Sequence, residues 1–261
     1  MHRLRVGDEG ALTVTALQSS PALRSLVLEK VFWPALLLAP GRLPAQCAAV
    51  RFSSTCIAPS TAAARALVRD SGGCCLEAAQ SVVQLLPCSP RLASVQLHLH
   101  PFPAGSAVAL ASALPALAAL TRLRLSDVPS DCLELAAAYG RCTGLRRLSL
   151  DSEPFSAEWV AAVSASLRAL LALTRLELSG LRSAQDSAAE VPLQQLFTAM
   201  AACPALESVC IWDSALPAEV VLQACTAPQH HPALRELTMA LNLVMSAVPG
   251  LWRNACACPL L

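Results

Sequence analysis

Arginine dominates the positions where this chain could hold an anion. Arg122, Arg147 and Arg175 open three similar words, Arg-Leu-Arg-Leu-Ser, Arg-Leu-Ser-Leu-Asp and Arg-Leu-Glu-Leu-Ser, and Arg124 stands inside the first. A guanidinium is planar, permanently charged and able to grip a carboxylate or phosphate through two parallel hydrogen bonds. If the three words are neighbouring strands, about 4.8 Å apart, the arginines form a basic patch suited to an acidic or phosphorylated protein segment. Asp151 and Glu177 belong to the same words. On the same face they would neutralise the patch into ordinary solvated surface, and the residues alone leave both readings open. Trp212, in the related word Ser-Val-Cys-Ile-Trp, is the one aromatic at such a position. It serves either as an exposed anchor for a partner or as packing beneath the loop at 213–216.

The remaining candidates are thinner. His98 and His100 alternate along one segment, but two ligands without a third do not make a metal site. The 12 cysteines include no Cys-x-x-Cys; Cys74 and Cys75 are adjacent, and Cys256 and Cys258 fall near the C-terminus. The chain is long and opens without an apolar leader, so reduced thiols acting as small buried hydrophobes are expected. No phosphate-cradling glycine loop, Gly-x-Ser-x-Gly or His-Glu-x-x-His occurs. With 10 glycines and 4% aromatics, dinucleotide binding and basic–aromatic interleaving for RNA are not expected either. The reading is a chain that is not an enzyme, with no cofactor and no metal. A formal charge of +1 exerts no general pull toward nucleic acid or anionic membrane.

The elements that must position these residues are legible as a repeat. The phrase Leu-x-x-Leu-x-Leu, with other apolar residues allowed, recurs at Leu23/Leu26/Leu28, Cys47/Val50/Phe52, Leu92/Val95/Leu97 and Leu120/Leu123/Leu125. It continues at Leu145/Leu148/Leu150, Leu173/Leu176/Leu178, Leu206/Val209/Ile211 and Leu234/Leu237/Met239, and Leu4/Val6 is a half-phrase before them all. The lead-in is repeated too: Pro-Ala-Leu precedes the phrase at Leu23, Leu206 and Leu234, and Leu-Thr-Arg-Leu recurs at 120–123 and 173–176. Period-two alternation makes each Leu-x-Leu a short strand with its leucines inward, and so short a strand must stack on its neighbours.

Between strands the periodicity turns helical. A helix over Cys132–Tyr139 is predicted to stop at Gly140, and Ser156 caps one running to Leu170. Pro192 suits the first turn of another, and Pro217–Glu219 opens a fourth. One strand and one helix per unit give an α/β leucine-rich-repeat solenoid, a β/α horseshoe with parallel strands on the concave face and helices on the convex face.

The Pro-x-Leu-x-x-Leu-x-Leu lead-in, often preceded by Cys, resembles the ribonuclease-inhibitor-like class of leucine-rich repeats, to which F-box-associated proteins and plant and algal scaffolds belong. That class continues with Asn or Cys three residues after the last leucine, building a ladder of hydrogen bonds under the turns. Here those positions are Val31, Thr55, His100, Val128, Glu153, Leu181, Ser214 and Asn242, and only Asn242 conforms. Turns such as Ser126-Asp127 and Ser179-Gly180 must satisfy their backbone otherwise.

The expected organisation is a solenoid over 1–245, with a helical insertion near 57–88 (helices at Thr61–Arg69 and Cys74–Leu86), and a C-terminal tail or partial cap over 246–261. The ends carry no convincing cap, which fits a fragment of a longer chain. The architecture and the missing enzyme signatures point to a monomeric, non-catalytic protein-interaction module, and the resemblance implies substrate recognition for an F-box-type ubiquitin ligase. A structural scaffold of a cytoskeletal or ciliary assembly and a regulator of a small GTPase are the alternatives. A cytoplasmic location is expected, with the cytoskeleton or cilium axoneme, or the nucleus, as alternatives. No stretch is apolar enough for a membrane helix. In that architecture the partner-binding residues on the concave face are Arg122, Arg124, Arg147, Arg175, Asp151, Glu177 and Trp212.

Overall fold

Alternating leucines decide which side of each strand is dry, and the strand register carries that choice from repeat to repeat. The computed structural model describes residues 3–6, 25–29, 47–55, 86, 91–100, 104–128, 131–151, 155–181, 190–214 and 233–241. The chain divides into two compact units, Met1–Asp127 and Val128–Leu261. In the first, five strands pair in parallel and in chain order: β1 (Arg3–Val6), β2 (Ser25–Glu29), β3 (Ala49–Thr55), β4 (Ser94–His100) and β5 (Arg122–Ser126). Leu4, Leu26, Val50, Val95 and Leu123 share one register row, and Val6, Leu28, Phe52, Leu97 and Leu125 another. The half-phrase Leu4/Val6 is thus a true first strand. Helix α1 (Ala104–Ala113) and a 3₁₀ turn (Leu114–Ala116) link β4 to β5.

The second unit repeats the plan with β6 (Arg147–Asp151), β7 (Arg175–Ser179), β8 (Ser208–Ser214) and β9 (Glu236–Leu241), again parallel and in order. Helices α2 (Leu133–Tyr139), α3 (Ala157–Leu167) and α4 (Glu190–Ala201) precede β6, β7 and β8 and pack side by side. From Leu92 to Ile211, every described leucine-phrase position is no more than 2% exposed. Each such burial contributes about 1.5–3 kcal/mol relative to an exposed side chain. Parallel strands joined by helices, with the repeated phrase buried along the sheet, make this an α/β leucine-rich-repeat solenoid. No helix among the described residues is long and apolar enough to cross a membrane.

The repeated lead-in words have a structural cause. Each helix runs into its strand through two consecutive i→i+3 steps: Cys142 N to Tyr139 O and Leu145 N to Cys142 O, then likewise Leu170 to Leu167 and Leu173 to Leu170, and Cys203 to Met200 and Leu206 to Cys203. The middle step is buried in each case, by a leucine or by a thiol. Helix α3 therefore ends at Leu167 rather than at the predicted Leu170, because this tighter turn takes over. At the strand mouth a single carbonyl takes two successive amides of the next repeat. Ala93 O accepts from Thr121 N and Arg122 N at 2.9 and 3.0 Å, and Arg146 O from Thr174 N and Arg175 N at 2.8 and 3.0 Å. In the Leu-Thr-Arg-Leu words the threonine hydroxyl adds a third bond to the same carbonyl, 3.0 Å in both repeats.

Helix starts follow the sequence, and so does the stop at Gly140, though not through the backbone conformation expected of it. Ser156 Oγ accepts from Trp159 N at 3.1 Å, and Phe155, just outside the helix, stacks on Trp159 with ring centroids 3.8 Å apart. Gly140 does end α2, but in a right-handed conformation, φ −61°, and not the left-handed one that usually calls for glycine at a helix end. What requires glycine is the next helix: a Cβ there would lie 3.2 Å from Ser166 Cα. Left-handed residues appear instead where strands end, at Asp127 (φ 57°) and Gly180 (φ 84°), the second members of the two turns singled out from the sequence.

The expected insertion near 57–88 (apart from Leu86, which is buried), the helix opening at Pro217–Glu219, Asn242 and the tail over 246–261 lie outside the described residues.

Candidate interaction surface

The non-leucine residues of each strand alternate with the buried rows, so they gather on the other face of the sheet. In the first unit this places Arg122 and Arg124 on β5, both exposed, with Ser94 and Gln96 beside them in register on β4. Next in line, His98 Nδ1 and Ser126 Oγ share a 2.7 Å hydrogen bond. That bond accounts for His98 as a cross-strand partner. Among the described residues no group of three or more His, Cys, Asp or Glu could hold a metal ion. Ser126 is 6% exposed, so its hydroxyl is spent on the histidine and is not offered to a substrate.

In the second unit Arg147 and Arg175 are register neighbours, as the repeated words imply. Their circumstances differ. Arg175 Nε donates to Glu177 Oε1 at 2.7 Å, a bond that holds the guanidinium above even its usual high pKa. Glu177 thus neutralises Arg175, while Arg147 and Asp151 are exposed with no ion partner among the described residues. A second carboxylate, Glu236, accepts from Ser208 Oγ at 2.8 Å. Between these pairs lies Cys210, 2% exposed, with its thiol pushed up mainly by burial.

Trp212 is 44% exposed and stands beside Ser179 in register, with Ser179 itself opposite Asp151. That exposure leaves much of its ring on the surface. Its backbone is firmly held. Trp212 O accepts from Gly180 N at 3.2 Å and from Ser214 Oγ at 2.7 Å. Just beyond it the ladder slips: Ile211 pairs with Met239 but Ser214 with Leu241, so β8 carries one more residue than β9. Such a bulge turns side chains away from the regular alternation.

Ser214 is also the residue that sequence reasoning passed over. It occupies the ladder position where the resembled class has Asn or Cys, and its hydroxyl accepts from Leu181 N at 3.1 Å while donating to Trp212 O. Leu181 stands at the same position one repeat earlier. The hydroxyl therefore performs both halves of the ladder bond expected of an amide.

Three comparisons with known proteins accompany this geometry. No family model matches the sequence, and no curated protein matches it. Among solved structures, the crystal structure of a TLR13–ssRNA13 complex aligns with 87% of this chain at 15% identity and a TM-score of 0.38. The chain spans 37% of the length of that structure.

Proposed function

We propose that this chain is a non-catalytic protein-interaction module that docks its partner on the strand face. The observation carrying the reading is Trp212: a large aromatic, 44% exposed, on a backbone pinned by two hydrogen bonds. Rigid exposed tryptophans and arginines are the side chains that most often concentrate binding energy at protein interfaces. Arg147 and Asp151, exposed in the same unit, supply the polar surroundings of such an interface, while Glu177 holds Arg175 in place. Within this class, substrate recognition for an F-box-type ubiquitin ligase is the assignment that the repeat resemblance supports. A cytoskeletal or ciliary scaffold and a regulator of a small GTPase are the alternatives, and all three concern protein partners.

Affinity purification with the full chain tests the reading. Trp212→Ala should lose the captured partner, whereas Arg168→Glu, an exposed change just after α3, should keep it. The reverse pattern would move the interface to the helix side and refute the proposal. Mass spectrometry of what Trp212→Ala loses then separates the assignments: cullin-linked proteins, tubulin or dynein subunits, or a GTPase.

A further inference from the structure

The strands of the first unit carry their charges unevenly, in a pattern that only the register reveals. Arg5 pairs with Val27, Val27 with Arg51, Arg51 with Gln96, and Gln96 with Arg124. Arginine therefore returns at every second strand along one row. The adjoining row begins at Arg3 and ends at Arg122, with Ser25, Ala49 and Ser94 between them. Glu29 supplies the one carboxylate among the non-leucine positions of β1–β5. Arg122 and Arg124 are exposed, and no described carboxylate pairs with either, in contrast to Arg175 in the second unit.

The spacing selects the ligand. Strands about 4.8 Å apart put successive arginine positions of the row about 9.6 Å apart. A polyproline II segment rises about 3.1 Å per residue with three residues per turn, so every third side chain returns to one side after about 9.3 Å. An extended β-segment alternates with period two and would bring the wrong residues to the row. Single-stranded nucleic acid is held largely by stacking its bases on aromatic side chains, and the non-leucine positions of β1–β5 include no Trp, Tyr or Phe. We propose that the first unit binds an acidic segment of a partner protein, laid across the strands as a polyproline II ribbon with a carboxylate at every third residue. This rests on the strand-face reading above and adds the partner's chemistry to it.

Fluorescence anisotropy with the full chain tests the match. Two labelled peptides of identical composition would be compared, one with Asp at every third position between Pro and Ala, the other with the same Asp residues moved to every second position. The every-third peptide should bind about tenfold more tightly, and Arg124→Glu should weaken it by about tenfold, the loss expected for one charge-assisted hydrogen bond. Arg51→Glu should act in the same direction and Arg168→Glu should have no effect. Should the charge reversals disturb folding, Arg124→Gln removes the charge from an exposed site and should still weaken binding. Equal binding of the two peptides would overturn the proposal. So would tighter binding of a single-stranded RNA probe, or binding only when the aspartates are replaced by phosphoserine. If the peptide fails while Trp212→Ala still abolishes partner capture, this inference alone falls; if Trp212→Ala has no effect either, the strand-face reading falls with it.

Discussion

Single side chains in this protein do work that their types do not announce. Ser214 replaces an amide ladder residue, and because its hydroxyl is buried and bonded at both ends, Ser214→Ala should cost about 1–3 kcal/mol, the penalty of stranding Leu181 N away from water. Urea unfolding would show it, and a loss under 0.5 kcal/mol, about the scatter of surface substitutions, would mean that the turn finds another partner. The thiols are equally telling. Burial pushes Cys142 and Cys203 up to about 11, each with its Sγ donating to a helix carbonyl, Ala138 O and Ala199 O. In the unfolded chain a thiol ionises near 8.5, so above that pH the unfolded state loses protons that the folded state keeps. Their contribution is full below about pH 8.5 and is lost progressively as the pH rises toward 11. Replacing both with Ala should flatten the fall in unfolding midpoint between pH 8 and 10; an unchanged slope would assign the fall to other groups. The sequence made these residues legible as buried thiols. Ser214 was hidden because a hydroxyl satisfies the ladder only when its rotamer points both ways, which composition does not encode.

At the scale of elements, strands were the easiest to read and helix ends the hardest. A strand's register follows from aligning leucines, so the rows and the candidate site on the opposite face were visible before any coordinate. The pairing of Arg175 with Glu177 rather than with a partner's carboxylate was visible only as an option, since it depends on side-chain conformation. Gly140 shows the same limit from another direction. Its backbone would accept alanine, and in the right-handed conformation that change ordinarily stabilises by about 0.4–1 kcal/mol. Here the added Cβ would meet Ser166 Cα at 3.2 Å, and Ser166 cannot easily retreat, because its Oγ donates to Ala136 O at 2.7 Å across the same helix pair. Gly140→Ala should therefore destabilise the protein, and Ser166→Ala, which releases the tether, should make the glycine substitution better tolerated. A stabilising Gly140→Ala would show that α2 and α3 can separate freely. The chain signalled a helix stop at this glycine, but the reason lies in the neighbouring repeat, beyond the reach of a local rule.

At the scale of the whole chain, a formal charge of +1 conceals an uneven distribution of charged positions along the strands of the two units. The first unit gathers arginine positions with one carboxylate among them; the second closes Arg175 on Glu177 and Ser208 on Glu236. Net charge is a sum over the chain and does not report how charged positions are shared between the strand faces. The stacked architecture also governs how damage spreads. Each repeat buries its leucines against the adjacent ones, so stability is approximately a sum of repeat and nearest-neighbour terms. Leu176 is fully buried, between Leu148 on β6 and Val209 on β8 in register. Leu176→Ala should cost about 2–5 kcal/mol, with little chance of collapse around the gap because both neighbours are fixed by strand pairing. In amide hydrogen exchange the loss of protection should be greatest in β6, β7 and β8 and much smaller in β3 and β4 of the first unit. A uniform loss across all of these strands would mean that the chain unfolds as one cooperative block, and that repeats do not set its stability separately.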